Sequence, residues 1–378
     1  MRIALVNHGS ASEWGGGDSV QIQETAKRLV NRGHRVSIQN ADQPEIDDVD
    51  IVHIFNCRVH SSFSDQMNTC MQAGKPVVIS PIWISIGRAI WGSRGSLAVL
   101  EKAINGSQDE AARGFELIRE RKLVVNLGEY EINSYGQSTN NMMKWQVDVA
   151  ALLKKSNGIL TNSWLELKSL QLDLNWCGDN YEVAHYGVDS KIFLDADPKH
   201  FQEYTGIKGQ FIMQAGRIEP AKNQAMLCWA LRDTNLPIVL VGSSKKWPSY
   251  AELCKKISGE QLTIIDHLPQ SMLSSAYAAA RVHCLVSWMD TCGLVSLEAA
   301  LNGTPLVGST FGHELEYLEN DGWLADPGDP MSIKNAVLSA WNAGKNSKKS
   351  QTMKRKCLER FNWEKTVDKT EKFYKSVI

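Results

Sequence analysis

The chain has 378 residues and a formal net charge of −1, with 43% hydrophobic and 22% charged residues. This length suggests two domains, and the composition is typical of a globular protein. A net charge near zero gives no general attraction to nucleic acid or acidic lipid. The eight cysteines are scattered without a C-x-x-C pair, which argues against a zinc site or a disulfide framework and suits a reducing cytosol.

The beginning of the sequence has one basic residue and a short apolar run, so we do not expect a secretory signal peptide. No stretch approaches the roughly 20 apolar residues of a membrane-spanning helix. We therefore expect a cytoplasmic protein, with at most a weak peripheral contact at the inner face of the membrane.

The first half of the chain alternates between apolar strands and amphipathic helices. An apolar run at Ile3–Val6 precedes a loop that contains Gly15, Gly16 and Gly17, and the helix Ser19–Asn31 follows. This order is typical of the start of a doubly wound nucleotide-binding fold. The loop is neither a strict G-x-G-x-x-G nor a Walker sequence. On its own it fits either contact with a phosphate or a plain flexible turn.

Two stretches of the chain have weaker patterns. Residues 87–145 mix helical patches with polar loops, and we expect either an acceptor-side insertion of the first domain or a segment that packs over its sheet edge. The polar stretch Asp189–Gly209 predicts an interdomain linker.

The second half begins with the strand Gln210–Ala215 and the helix Gln224–Leu231, joined by a turn that carries Arg217 and Lys222. Two cations five residues apart in such a turn can converge on one diphosphate, the arginine as a fork and the lysine as a point charge. The alternative is a pair of exposed surface cations.

A second strand-to-helix turn carries two carboxylates. Asp290 lies in the loop after the apolar run Val282–Val286, and Glu298 lies within the helix that begins near Gly293. Free N–H groups at a helix N-terminus readily bind phosphate. Two carboxylates beside an anion site suit a ligand with both hydroxyls and phosphate, such as a nucleotide sugar. The alternative is a plain βαβ unit with two solvated acids.

The sequences of these two turns resemble motifs of a known protein family. The segment Asp290–Ala300, reading DTCGLVSLEAA, resembles the E-x7-E region of family 4 retaining glycosyltransferases of the GT-B fold, and Gly216–Lys222 resembles their GR-x4-K signature. Asp290 replaces the usual first glutamate, and Cys292 replaces the usual phenylalanine. Ser80–Trp83 stands where the family often has a histidine; we expect the nearby His53 and His60 to be ordinary.

The resemblance implies an α/β fold of two Rossmann-like domains facing a cleft. Residues 1–189 would form the acceptor-side domain, including the insertion at about 87–145. Residues 208–360 would form the nucleotide-sugar-binding domain, and 361–378 a helix that returns to the first domain.

The resemblance also implies roles for the residues of the site. Glu298 would bind the nucleotide ribose, and the catalytic residues would be Arg217 and Lys222, on the diphosphate, and Asp290, on the donor sugar. Further donor contacts would come from the following residues: Thr291, Cys292, Gly293, Leu294, Val295 and the loop glycines Gly15, Gly16 and Gly17. With two cations on the diphosphate, no metal and no cofactor are expected.

The expected activity is retaining transfer of a hexose, without a metal, from a UDP- or GDP-sugar to a hydroxyl of a glycan, lipid-linked or small-molecule acceptor, as in polysaccharide biosynthesis. A sugar-nucleotide epimerase of the same fold and a catalytically inactive nucleotide-sugar-binding subunit remain open as alternatives. Transfer to modified DNA bases is disfavoured by the neutral charge, and nucleic acid is not an expected partner. The sequence does not specify the base, the sugar, the acceptor, the linkage or the oligomeric state.

Overall fold

The computed structural model describes residues 1–11, 16–128, 131–137 and 144–378. The chain divides into two compact units. The first unit contains Met1–Ile84, Met143–Gly187 and Arg360–Ile378, and the second contains Ser85–Met142 and Val188–Glu359.

The described residues form strands and helices that alternate over most of the chain. The strands are β1 (Arg2–Asn7), β2 (Arg35–Asn40), β3 (Ile51–Phe55), β4 (Val77–Ser80), β5 (Val125–Asn126), β6 (Glu131–Ile132), β7 (Gly158–Thr161), β8 (Tyr181–Val183), β9 (Ile212–Ala215), β10 (Ile238–Val241), β11 (Leu262–Ile265), β12 (Val282–Leu285), β13 (Leu306–Ser309) and β14 (Trp323–Ala325). The helices are α1 (Gly17–Asn31), α2 (His60–Gln72), α3 (Ile86–Ile104), α4 (Gln108–Arg119), α5 (Lys144–Leu153), α6 (Trp164–Leu174), α7 (Ser190–Phe193), α8 (Pro198–Thr205), α9 (Gln224–Leu231), α10 (Pro248–Ser258), α11 (Gln270–Ala279), α12 (Leu294–Leu301), α13 (Leu315–Leu318), α14 (Pro330–Ala343), α15 (Lys348–Glu359) and α16 (Trp363–Val377).

The first unit is built on a parallel six-stranded sheet in the order β2-β1-β3-β4-β7-β8. Its central strands β3, β4 and β7 are buried along their whole length. Strands covered by helices on both faces read as continuous apolar runs, which is why the sequence predicted them.

The second unit is built on another parallel six-stranded sheet, in the order β11-β10-β9-β12-β13-β14. Counted from β9, this is the Rossmann order 3-2-1-4-5-6. Its topological switch point lies between β9 and β12, because the chain leaves β9 toward one edge and returns at β12 toward the other. Ligands of open α/β sheets bind at the carboxyl ends of the strands at such a point.

The segment 87–145 packs differently from our expectation of an element on the first domain. Residues Ser85–Met142 belong to the second unit. Leu100 of α3 is buried in the core of the second sheet, and Trp91 and Ile118 share a hydrophobic cluster with Trp288 from the loop after β12. The physical reason is that these long-range apolar contacts join the segment to the second sheet, which local periodicity does not reveal.

The stretch predicted as a linker, Asp189–Gly209, is structured instead. It contains the short helices α7 and α8, and the side chains of Phe193 and Phe201 are buried. Asp189 and Asp197 cap the two helices by accepting hydrogen bonds from backbone N–H groups two residues later. The prediction of a polar linker was wrong because it overlooked both caps and both phenylalanines.

The C-terminal helix α16 lies on the first unit, as predicted. Val367 and Tyr374 are buried in the core of that unit. Arg32, the residue after α1, forms ion pairs with three acids of α16: Glu364, Asp368 and Glu371. Among the described residues, no helix is both long and apolar enough to span a membrane.

Candidate nucleotide-sugar site

The turn after β9 is held rigidly at the switch point of the second sheet. Gly216 has a φ of +138°, and a Cβ on Gly242 would lie 2.0 Å from the Gly216 carbonyl oxygen. Asn223, which the sequence reasoning missed, donates from Nδ2 to the carbonyl oxygens of Val286, at 3.0 Å, and Pro327, at 2.9 Å. These bonds connect the loop after β9 to the loops after β12 and β14.

Lys222 and Asp290 form an ion pair across this point. Lys222 Nζ lies 2.6 Å from Asp290 Oδ2, and the side chains are only 17% and 11% exposed. Asp290 Oδ1 accepts a hydrogen bond from the backbone N–H of Gly293 at 3.1 Å. The structure therefore brings together two of the three residues that we expected to be catalytic, although they are 68 positions apart.

Arg217, the third of these residues, has a carboxylate partner of its own. Its Nε and Nη2 donate to the two carboxylate oxygens of Glu219 at 3.2 and 3.1 Å, and its side chain is 44% exposed. The Lys222 side chain passes beside Gly216, since a Cβ there would lie 3.9 Å from Lys222 Cε. Both cations thus flank the same glycine, and each is neutralised by a carboxylate of this chain.

The loop after β12 leads into α12 at Gly293. This residue has a φ of +58°, in the left-handed region, and a Cβ on it would lie 2.5 Å from Glu314 Oε2. Both conditions require glycine. Cys292 is buried, whereas Thr291, Leu294 and Val295 are partly exposed around the first turn of α12. The N-terminus of α12 carries backbone N–H groups and partial positive charge, which favour an anion.

Glu298 lies one turn into α12 and is partly exposed. Its Oε2 accepts a hydrogen bond from Tyr277 Oη at 3.0 Å. Burial raises the pKa of Glu298 to about 7, while the hydrogen bond from Tyr277 opposes that rise. This carboxyl group consequently changes its charge near neutral pH.

Residues of the turn after β13, which the sequence did not assign to the site, support this loop. His313 N–H donates to the Asp290 carbonyl oxygen at 3.2 Å, and Tyr317 Oη donates to the Gly293 carbonyl oxygen at 3.1 Å. Glu314 is fully buried and accepts from Ser309 N–H through Oε1 at 2.8 Å. Burial raises the pKa of Glu314 well above its usual range, and the nearby charge of Asp290 adds to the rise.

The segment Ser85–Met142 of the second unit also supports the loop after β12. Trp288, two residues before Asp290, donates its indole N–H to Ser96 Oγ of α3 at 3.1 Å. A Cβ on Gly92 would lie 2.1 Å from the Trp288 ring, and Trp288 N–H donates to the Ala221 carbonyl oxygen at 2.9 Å. Helix α3 therefore fixes the loops that carry Lys222 and Asp290.

The glycine-rich loop belongs to the first unit. Gly15 lies outside the described residues, whereas Gly16 precedes α1 and Gly17 begins it. Asp18 occupies the first turn of α1, and its Oδ2 accepts from Asn56 Nδ2 at 3.4 Å. A carboxylate thus already lies at this helix N-terminus, so a phosphate contact by the loop stays a prediction.

The position of the missing histidine holds a buried tryptophan. Trp83 is fully buried, its backbone N–H donates to Glu166 Oε1 at 2.8 Å, and its indole N–H donates to Asp173 Oδ2 at 2.9 Å. His53 is also buried, between Tyr374 Oη at 2.5 Å and Ser80 Oγ at 2.9 Å. Burial lowers the pKa of His53 to about 3, so it is an ordinary core histidine, as expected.

Two Asp-x-Asp sequences, overlooked in the sequence reasoning, are engaged in structural contacts. Asp48 and Asp50 both pair with Arg2. Asp195 pairs with Lys354, and Asp197 caps α8.

The geometry agrees with a family comparison. Residues 196–356 match the family model described as Glycosyl transferases group 1. This match lies within the second unit and includes Arg217, Lys222, Asp290 and Glu298, but it covers less than half of the chain. Together with the two parallel sheets, it supports the GT-B fold class, and the predicted fold class is confirmed.

Solved structures of this fold class resemble the whole chain. Sucrose-phosphate synthase from Thermosynechococcus elongatus has a TM-score of 0.73 at 15% identity, covering 100% of this chain and 99% of that one. Anabaena Alr3699/HepE in complex with UDP-glucose has a TM-score of 0.72 at 15% identity, covering 100% of both chains. At such identities the likeness shows the fold alone.

Curated relatives are more similar in sequence but match over shorter spans. D-inositol 3-phosphate glycosyltransferase of Kribbella flavida is 29% identical over 217 residues, covering 52% of this chain and 50% of that one. N-acetyl-alpha-D-glucosaminyl L-malate synthase of Bacillus anthracis is 21% identical over 281 residues, covering 70% of each. The chain spans about half the length of the first of these relatives.

Proposed function

We propose that the chain is a retaining, metal-independent glycosyltransferase of family 4. It would transfer a sugar from a UDP- or GDP-sugar to a hydroxyl of a glycan, lipid-linked or small-molecule acceptor in the cytoplasm. The observation that carries this proposal is the ion pair between Lys222 and Asp290 at the switch point of the second sheet, beside Arg217 and the start of α12. A switch point is where open α/β sheets bind ligands.

In this proposal the partners of the Lys222–Asp290 ion pair are exchanged when a donor binds. An incoming diphosphate would replace Asp290 Oδ2 as the partner of Lys222 and would replace Glu219 on Arg217. Asp290 Oδ1 would keep its bond to Gly293 N–H, while Oδ2 becomes available to accept a hydroxyl of the donor sugar. Exchange of carboxylate for phosphate is reasonable because both are oxyanions that bind arginine and lysine through charge-assisted hydrogen bonds.

Catalysis would come mainly from electrostatics. As the bond between the sugar and the diphosphate breaks, negative charge grows on the departing phosphate oxygens. Lys222, Arg217 and the N–H groups at the start of α12 are fixed before the reaction, so they stabilise this charge without reorganising. With these groups in place, no metal ion is required on the diphosphate.

The donor and acceptor classes are supported by relatives rather than by the residues of this chain. Structures of HepE hold UDP, UDP-glucose, or UDP and glucose, which favours a UDP-sugar donor. The names of two curated relatives indicate acceptors that are small anionic alcohols, an inositol phosphate and malate. We propose these classes as the first to test.

A thermal-shift screen of UDP-, GDP- and ADP-sugars tests the proposal. A ligand that binds only the folded protein stabilises it by about 2.7 kcal/mol at a hundredfold excess over Kd. We expect at least one donor to raise the melting temperature, and the stabilising donor then to yield a glycosylated product with an acceptor. No shift with any donor would contradict the proposal, and conversion of the donor sugar without an acceptor would indicate an epimerase instead.

A further inference from the structure

Tyr277 on α11 makes a contact with the candidate site that neither the motifs nor the comparisons assign. Its hydroxyl donates to Glu298 Oε2 at 3.0 Å. No hydrogen bond from the described part of the chain reaches the other oxygen of that carboxylate, Oε1. Since Glu298 is partly exposed and Tyr277 is completely buried, the tyrosine holds the inner side of the carboxylate and leaves its outer side open.

The tyrosine itself is held rigidly. Its ring packs against Phe193, with ring centroids 6.2 Å apart, and meets the ring of His283 edge-on at 5.4 Å. Its carbonyl oxygen accepts a hydrogen bond from Thr304 Oγ1 at 2.7 Å. A hydroxyl on a ring fixed in this way can orient its acceptor.

Among the described residues, Tyr277 is the titratable group that hydrogen-bonds Glu298. Nearby, Tyr317 donates to the Gly293 carbonyl oxygen, and Lys345 donates to the carbonyl oxygens of Tyr277 and Ala278. His283 on β12 contacts the Tyr277 ring edge-on, and burial lowers its pKa to about 3, so it is neutral. Cys357 on α15 lies toward the Leu297 carbonyl oxygen. The partly exposed lysines of α15 have other partners: Lys349 the Gly322 carbonyl oxygen, Lys354 Asp195, and Lys356 Asp321.

We propose that Tyr277 is a positioning residue that fixes the Glu298 carboxylate to accept the ribose hydroxyls of the nucleotide. This inference rests on the proposed function and deepens it, because it assigns the preference for ribose to a pair of residues rather than to Glu298 alone. Burial holds the pKa of Tyr277 well above its usual value, so its hydroxyl remains protonated and able to donate at neutral pH.

The pH dependence of binding follows from the same contact. Glu298, whose pKa is raised to about 7 by burial, is protonated below that pH and ionised above it. The ionised form accepts hydrogen bonds from hydroxyls better. Affinity for a ribose-containing nucleotide therefore rises as the pH increases through about 7. Loss of the Tyr277 hydroxyl, which stabilises the ionised form, moves this rise to higher pH.

The experiment compares Tyr277→Phe with wild type in calorimetric titrations of UDP, GDP and ADP and of their 2′,3′-dideoxy counterparts. Tyr250→Phe is the matched control, because Tyr250 is another buried tyrosine of the second unit, whose hydroxyl accepts from Ala225 N–H at 3.0 Å. Melting temperatures confirm that each variant folds.

We expect wild type and Tyr250→Phe to prefer the ribose form by roughly tenfold, the scale of one charge-assisted hydrogen bond. Tyr277→Phe should lose most of this preference at pH 7, and its pH midpoint should move upward. In Glu298→Gln the pH dependence should disappear. An unchanged ribose preference in Tyr277→Phe overturns the inference while leaving the proposed function intact, whereas wild type binding none of the nucleotides contradicts the proposed function itself.

Discussion

Asp290 is one methylene shorter than the glutamate of the motif that it resembles, and its contacts show how the shorter side chain is used. One oxygen binds Lys222 at 2.6 Å, and the other binds Gly293 N–H at 3.1 Å. The sequence placed this acid in a strand-to-helix loop but did not predict the pairing with Lys222, because spacing along the chain does not reveal which distant loops meet.

Replacing Asp290 by alanine should separate turnover from binding. We expect turnover to fall by at least ~10²-fold, because the donor sugar loses a group that orients it. Affinity for UDP should stay the same or rise, because Lys222 loses its internal counter-ion. Asp290→Glu should also be slower than wild type, since the longer side chain would displace both partners. Steady-state kinetics with the identified donor measure turnover, and calorimetry with UDP measures affinity. Near wild-type turnover in Asp290→Ala would show that Asp290 does not orient the donor sugar.

The burial of Glu314 could not be predicted from the sequence. It is fully buried beneath the loop that carries Asp290, and a Cβ on Gly293 or Gly308 would approach its carboxyl oxygens to 2.5 and 3.1 Å. A single acid in a turn looks like a solvated charge in the sequence. Only the fold shows that neighbouring glycines leave room for it.

At the scale of elements, strands were easier to predict than the short helices. Strands such as β4, β10 and β12 are four-residue runs buried throughout, and their apolar sequence is the signal. Helices α7 and α8 were missed although Asp189, Asp197 and Pro198 mark their beginnings. Helix α3 was partly foreseen, but its attachment to the second sheet depends on contacts with Trp288 that no periodicity encodes.

Helix α3 provides a test of its role in supporting the site. Gly92→Ala would place a methyl group 2.1 Å from the rigid Trp288 ring, so we expect about 1–3 kcal/mol of destabilisation and weaker binding of UDP. Gly95→Ala is the matched control, since its methyl group would meet the ends of two aliphatic side chains, Leu123 at 2.7 Å and Val125 at 3.3 Å, and not the Trp288 ring. Thermal melts measure the stability of both variants, and UDP titrations measure their affinity. If Gly92→Ala folds and binds UDP as tightly as wild type, α3 does not support the site.

For the whole molecule, the sequence predicted the two-sheet architecture and the return of the C-terminal helix to the first unit. The order of each sheet was not predicted, yet the order of the second sheet is what brings the loops after β9 and β12 together. The proposed function therefore depends on a nucleoside diphosphate binding at the point where this topology brings Lys222 and Asp290 together.

The most direct test is calorimetric titration of UDP, GDP and ADP, in excess EDTA, into wild type, Arg217→Ala and Lys222→Ala. Lys334→Ala serves as the control, because Lys334 also pairs with an aspartate of the second unit, Asp233, at 2.8 Å. We predict that wild type and Lys334→Ala bind at least one nucleotide without metal. Each site variant should bind it roughly 10- to 100-fold more weakly, corresponding to about 1.5–3 kcal/mol. Equal affinity in all four proteins, or binding that appears only when a divalent metal is restored, would contradict the account.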